Sequence, residues 1–319
     1  MSSHRKRITA CAALGWLCLS AACGGDGSSS GGAIGDDDSG TSPEAGGTHV
    51  AYDAGAYDAG AYDAGGYDAD ASDAGSPPEA ATSDAGGLDP SVAPGGNFDL
   101  SLWELQEPVG ATGAPTTILP AQLVGPKGHE DSYFFTDPTD GSMSFWDPEN
   151  GVATANSDYP RSELREMTAT GAAANWAPSG TNTLSATLTS TLIPDHVAVG
   201  QIHLGTGTPA STKPLLELFY FSTGSIVLAI EQTPAGGNEV QHTVGNVPLG
   251  TKWSYVIGLS GNTITLVIDG GATQTFSMSS TFDQEGMYFK AGDYDQSSGS
   301  SATVGAKVQF YALSIFHGP

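Results

Sequence analysis

Downstream of Asn97 the chain alternates between short apolar runs and turn residues. "LLELFYF" (215–221) meets Thr223-Gly224 and then "SIVLAIEQ" (225–232). "WSYVIGL" (253–259) meets Gly261-Asn262 and then "TITLVI" (263–268), and Asp269-Gly270-Gly271 leads on to "TQTFSMS" (273–279). The last run is "AKVQFYALSIF" (306–316). Strand-length runs parted by Gly-rich turns predict antiparallel hairpins, and a long succession of them predicts a sandwich or barrel. No long stretch repeats its apolar residues at helical spacing. The pattern therefore predicts one all-β domain, an antiparallel β-sandwich, over residues 97–319.

Upstream this pattern disappears. From Gly24 to Gly96 the composition is dominated by Gly, Ala, Ser, Asp and Pro, with no Lys or Arg. Within it "AYDAGAYDAGAYDAGGYDAD" sets Tyr52, Tyr57, Tyr62 and Tyr67 at a period of five, which suits neither helix nor strand. Such a segment cannot bury enough apolar surface to offset the entropy of ordering it. It reads as a disordered tether, roughly 45–50 Å from end to end; the alternative is a Tyr-studded adhesive or carbohydrate-contacting stalk. Residues 1–23 read as an export signal. Arg5, Lys6 and Arg7 precede an apolar run, Ile8 to Leu19, too short to cross a bilayer. Ser20-Ala21-Ala22-Cys23 resembles a bacterial lipoprotein cleavage box, with Cys23 as the lipidated residue. A lipid there is the one expected tie to a membrane, on the outer membrane or cell surface; simple cleavage would instead release a secreted protein. All three cysteines (Cys11, Cys18, Cys23) lie in this segment. The domain thus has no Cys for a disulfide or a thiolate metal site and must stand on its core alone.

Charge narrows the function. The formal net charge is −25, from 10 Lys and Arg against 35 Asp and Glu, which argues against nucleic acid, whose phosphates need a basic surface. Past residue 7 the only arginines are Arg161 and Arg165, in "RSELRE" (161–166). Residues two apart on a strand share a face, so Arg161, Glu163 and Arg165 stand together, with Glu163 placed to orient both cations by charge-assisted hydrogen bonds. An exposed, salt-bridged strand would look the same but would use arginine more freely elsewhere. In "GQIHLG" (200–205), Gln201 and His203 share a face; alone this is weak. In "MYFKAGDYDQ" (287–296), Tyr288, Lys290, Gly292, Tyr294 and Gln296 share a face. A cation, phenols and an amide stand in a row there, and Gly292 is read as leaving room for a ligand.

Taken in order, "RSELR", "QIH" and "YFKAGDYDQ" resemble polysaccharide lyase family 7, the alginate lyases of β-jelly-roll fold. "LSLWELQEPVG" (100–110), "MSFWDPENG" (143–151) and "YPRSELRE" (159–166) extend the resemblance over residues 97–319. It implies a jelly roll with a concave groove for alginate, acting as a monomer without cofactor or metal. It also implies β-elimination: loss of the C5 proton of a uronate and expulsion of its O4 substituent. Arg161 and Gln201, with His203 nearby, would neutralise the substrate carboxylate so that an enolate can form. His203 would be the base and Tyr294 the acid on guluronate, where the proton and leaving group lie on opposite faces. On mannuronate Tyr294 would serve in both roles, with Arg161 and Lys290 depressing its pKa. Glu163, Arg165, Tyr288, Lys290 and Gln296 would bind substrate. Ile202, the middle residue of "QIH", tends in this family to accompany activity on guluronate-containing chains, so an endo-acting enzyme active on such blocks is expected. Two acids depart from the family pattern: Asp293, and Asp295 where Asn is usual. By alternation both point away from the groove, yet they bring negative charge near a polyanion's path. The competing readings are a lyase for another polyuronate such as glucuronan, and a non-catalytic carbohydrate-binding jelly roll, against which the paired His203 and Tyr294 weigh. A glycoside hydrolase would need two carboxylates across a cleft, and no strand motif supplies them.

Overall fold

The structure is a computed structural model, described here for residues 87–205 and 213–319. The export segment, Cys23 and the Tyr repeats lie outside the described residues. Among the described residues two antiparallel sheets make up the fold, with two four-residue α-helices, α1 (Pro94–Asn97) and α2 (Pro120–Leu123), and one short 3-10 turn. The strands of the first sheet are β1 (Trp103–Ala111), β2 (Ala114–Ile118), β5 (Ser162–Glu166), β7 (His196–Leu204), β8 (Pro214–Phe221), β9 (Ser225–Ile230), β10 (Val240–Asn246) and β14 (Met287–Asp295). Those of the second are β3 (Phe134–Thr136), β4 (Met143–Pro148), β6 (Thr181–Leu192), β11 (Trp253–Ser260), β12 (Thr263–Ile268), β13 (Gln274–Ser277) and β15 (Gly305–Gly318). The first sheet runs β10-β9-β8-β7-β14-β5-β1-β2 and the second β13-β12-β11-β6-β15-β4-β3.

Each hairpin expected from the apolar runs is present: β8 pairs with β9, β11 with β12, and β12 with β13. Strand alternation builds the core between the sheets. Along β11, Trp253, Tyr255, Ile257 and Leu259 all point inward and are almost wholly buried. They meet Leu105, Leu164, Ile202 and Phe289 of the first sheet in one continuous apolar cluster. The domain also begins earlier than Asn97. Leu88 packs on the core, Ala93 and Pro94 are buried, and Asn97 bonds the Asp89 and Gly141 carbonyls. Composition assigned residues 88–96 to the tether; a few small apolar side chains and one amide suffice to dock them.

Strand β14 lies in the middle of the first sheet, between β7 and β5, and is buried on both faces. Its ladder to β7 shifts register between Ala291 and Tyr294, the signature of a bulge. Gly292 sits there at φ +149°, and a Cβ on it would lie 2.8 Å from the Glu163 Cα. That glycine makes room for the neighbouring backbone, not for a ligand as the alternation suggested.

Asp293 and Asp295 point away from the groove, as expected, and lie fully buried beside Asp147 of β4. The Asp295 amide donates to Asp147 Oδ2, and Ser297 donates twice to the Asp295 carboxylate. Neither Asp293 oxygen has a hydrogen-bond partner among the described residues. Burial, then the neighbouring acids, pushes Asp293 and Asp147 well above the usual carboxylate range, and burial takes Asp295 to about 6. Asp293 and Asp147 therefore add little negative charge to the substrate path, while Asp295 is ionised above about pH 6. A carboxyl raised on folding contributes stability that is present below its unfolded pKa and lost as pH rises through the folded one. Asp293→Asn is accordingly expected to raise the melting temperature at about pH 8, by at least the ~2–4 °C that 1 kcal/mol represents in a domain of this size. The gain should be much smaller near pH 4, where the parent carboxyl is protonated in the folded state and about half protonated in the unfolded one; an equal shift at both pH values would show that titration of Asp293 is not the cause.

Candidate active site

The outer face of the first sheet carries a cavity of about 430 Å³. All nine groove residues singled out from the sequence line it: Arg161, Glu163, Arg165, Gln201, His203, Tyr288, Lys290, Tyr294 and Gln296. Register explains the convergence. Arg165 pairs with Glu104 of β1 on one side and Lys290 of β14 on the other. Lys290 faces Gln201 of β7, which faces Glu217 of β8. Five adjacent strands thus set Glu104, Arg165, Lys290, Gln201 and Glu217 in one transverse row. One step along, His203 pairs with Tyr288.

Glu163 is the hub of this floor. It is wholly buried, and accepts hydrogen bonds from Gln201 Nε2 and from Arg161 Nη1, the latter at 3.3 Å, while forming an ion pair with Lys290. Of the two cations that alternation assigned to it, Glu163 holds Arg161 but not Arg165, and it gains Gln201 and Lys290 from other strands. Gln201 spends one amide hydrogen on Glu163 and keeps a second for a ligand. Arg165 is held by Glu104 at 3.4 Å and lies over the Tyr288 ring, 4.3 Å from its centroid.

Arg161 lies over the ring of Tyr294, with its guanidinium carbon 3.8 Å from the centroid. Ser157, in the loop before β5, bridges the two: its Oγ accepts from Arg161 Nη2 at 3.1 Å and is 2.9 Å from the Tyr294 hydroxyl. Gln296 donates to the Tyr294 carbonyl. The expectation that Arg161 and Lys290 depress the Tyr294 pKa is not met. Burial raises it and outweighs the opposing Arg161 charge and Ser157 hydrogen bond, so the free enzyme holds Tyr294 as a neutral phenol. Lys290 itself is lowered to about 8 by burial and by Arg161, with Glu163 opposing.

His203 Nδ1 lies 3.0 Å from the Leu204 carbonyl oxygen. A carbonyl only accepts, so Nδ1 carries the hydrogen and Nε2 is left with a free lone pair. Burial, then the Lys290 charge, lowers the His203 pKa to about 3, and the ring is neutral at ordinary pH. The site therefore combines a neutral acceptor, a neutral phenol donor and a fork of cation and amide.

Sequence reasoning missed several lining residues. Ser157 belongs to a loop without periodicity. Glu217 was visible as the one charged residue in "LLELFYF", but nothing local says which strand it would face. The lining carries both signs: Arg161, Arg165, Lys213 and Lys290 stand among Glu104, Glu163, Glu217 and Glu231. Among the described residues one cluster of metal-ligating types, Glu107, His129 and Asp131, lies outside this groove. His129 Nε2 is 2.6 Å from Glu107 Oε1, and Asp131 Oδ1 accepts from the Tyr133 and Phe134 amides, so hydrogen bonds already account for it.

The family model described as alginate lyase matches residues 98–317, the whole of the two-sheet body. The chain belongs to polysaccharide lyase family 7. An alginate lyase of Klebsiella pneumoniae is 31% identical over 284 residues, 71% of this chain and 92% of that protein. Among solved structures, alginate lyase A1-II′, a member of polysaccharide lyase family 7, is 33% identical over 71% of this chain and 99% of its own, with TM-score 0.62. The alginate lyase of Pseudomonas aeruginosa is 31% identical over 69% and 99%, with TM-score 0.63. This lyase shares their jelly-roll fold, and its activity is alginate cleavage.

Proposed function

We propose that the lyase is endo-acting, works on guluronate-containing blocks, and divides the elimination between two separate groups. Arg161 and the free amide hydrogen of Gln201 bind the substrate carboxylate and stabilise the charge that moves onto it. His203 Nε2 takes the C5 proton, the C–H electron pair forms the C4–C5 double bond, and O4 leaves with the proton of the Tyr294 hydroxyl. The observation that carries this reading is the pair of protonation states: an imidazole with its Nε2 lone pair free and a phenol kept neutral. A base and an acid that are distinct residues suit guluronate, whose proton and leaving group lie on opposite faces. Ile202, buried beneath Gln201 and His203, acts only through packing. Variants of A1-II′ have been solved with the substrate GGMG and with the product GGG, which supports binding of guluronate-rich chains here. Endo action is supported by the breadth of the floor: four interstrand steps separate β1 from β8, about 19 Å at ~4.8 Å a step, room for several sugar units. The same reading takes residues 1–23 as an export signal and Cys23 as a lipid anchor, so that the enzyme meets alginate outside the cell. Purified lyase should release unsaturated uronate from polyguluronate faster than from polymannuronate, with an early fall in viscosity ahead of product accumulation. Faster turnover of polymannuronate, or monomer released from the first minutes, would overturn the reading.

A further inference from the structure

Three of the four carboxylates in the groove are already engaged. Glu163 holds Arg161, Gln201 and Lys290; Glu104 holds Arg165; Glu231 accepts from the Gly237 and Asn238 amides. Among the described residues Glu217 has neither a hydrogen bond nor an ion pair, although it lines the same cavity. It stands beside Gln201 in the β7–β8 ladder, with Ala229 of β9 on its other side. A carboxyl at that place adjoins the group that receives the substrate carboxylate, in an enzyme whose every substrate unit carries a negative charge. An ionised acid there would oppose binding.

We propose that Glu217 is a specificity-determining residue of the lyase: its protonated carboxyl donates a hydrogen bond to the uronate beside the one held by Arg161 and Gln201, and its ionised form turns the polyanion away. A neutral carboxyl offers an O–H donor as well as an acceptor, and the hydrogen bond from an acid to an anion is among the stronger kinds. The charges facing Glu217 are Glu163 and Glu239, which hold its proton on, and Lys290 and Arg161, which oppose them; its ladder neighbours Gln201 and Ala229 carry none. Burial is the main influence, and with these charges it brings Glu217 to about 7. The proton is therefore held or lost within the range in which the enzyme works. The groove thus couples affinity for the polyuronate to pH through a group other than the acid and base of the reaction.

This inference rests on the assignment of the groove floor as the substrate path, so the test carries a control for that assignment. Steady-state kinetics on polyguluronate would be measured for the parent, Glu217→Gln and Arg165→Gln. For a group titrating near 7 the protonated fraction falls about tenfold between pH 6 and pH 8, so the parent KM is expected to rise by about that factor. Glu217→Gln, nearly isosteric and unable to ionise, should lose most of this rise and keep only about a twofold change, the part left by Lys290, which titrates at about 8. Parallel KM profiles for parent and Glu217→Gln, beside a raised KM in Arg165→Gln, overturn the role of Glu217 alone. An unaltered KM in Arg165→Gln overturns the substrate path itself, and this inference with it.

Discussion

Tyr294→Phe is expected to abolish measurable cleavage of both polyguluronate and polymannuronate. The variant loses one oxygen and nothing of the ring that packs under Arg161. Its hydroxyl lies 2.9 Å from Ser157 Oγ, which in turn accepts from Arg161, and burial keeps the proton on it. Without that proton O4 must leave as an alkoxide. Removing a positioned acid or base costs about 10²–10⁴-fold in rate. Because the phenylalanine ring preserves the stack, the melting temperature should stay near that of the parent, which separates a chemical defect from a folding one. A Tyr294→Phe variant that retains parental turnover on either substrate would remove Tyr294 from the reaction.

His203→Ala is expected to divide the substrates. On guluronate the proton lies opposite the leaving group, so a base on the far side is indispensable and the loss should again be about 10²–10⁴-fold. On mannuronate both lie on one face, where Tyr294 already stands, and the loss should be smaller. The raised Tyr294 pKa limits that rescue: the phenol must first shed its proton, so mannuronate turnover in His203→Ala should climb with pH. Arg161 supplies the local positive charge that favours this ionisation. Kinetics on the two homopolymers across pH decide the matter. Equal losses on both at every pH would mean that His203 serves carboxylate binding or ring positioning instead of proton abstraction.

Much of the site was legible because its residues lie on strands, where a period of two assigns faces without knowledge of the fold. The "RSELR" alternation put Arg161, Glu163 and Arg165 together, and "YFKAGDYDQ" put Lys290 with Tyr294; the structure keeps both sets in the groove. Loop residues and charge balance were not legible. Ser157 has no periodic signal, yet it joins Arg161 to Tyr294. Glu104, Glu217 and Glu231 come from strands or strand ends far apart in sequence, and only the fold brings them to the same groove as Arg161, Arg165 and Lys290.

The sequence by itself determined the all-β character of the domain and the faces of its polar strands, since local alternation and turn chemistry carry those, and its motifs showed the family by their resemblance to it. Only the tertiary structure decided the protonation states on which the chemistry depends. Tyr294 stays neutral because burial outweighs Arg161, His203 stays neutral because it is buried beside Lys290, and Asp293 is pushed up because it is buried, and buried next to Asp147 from another sheet. Each balance is struck between desolvation and charges on strands distant in the chain. Both depend on which side chains share a space, and the spacing of residues along the sequence does not encode that.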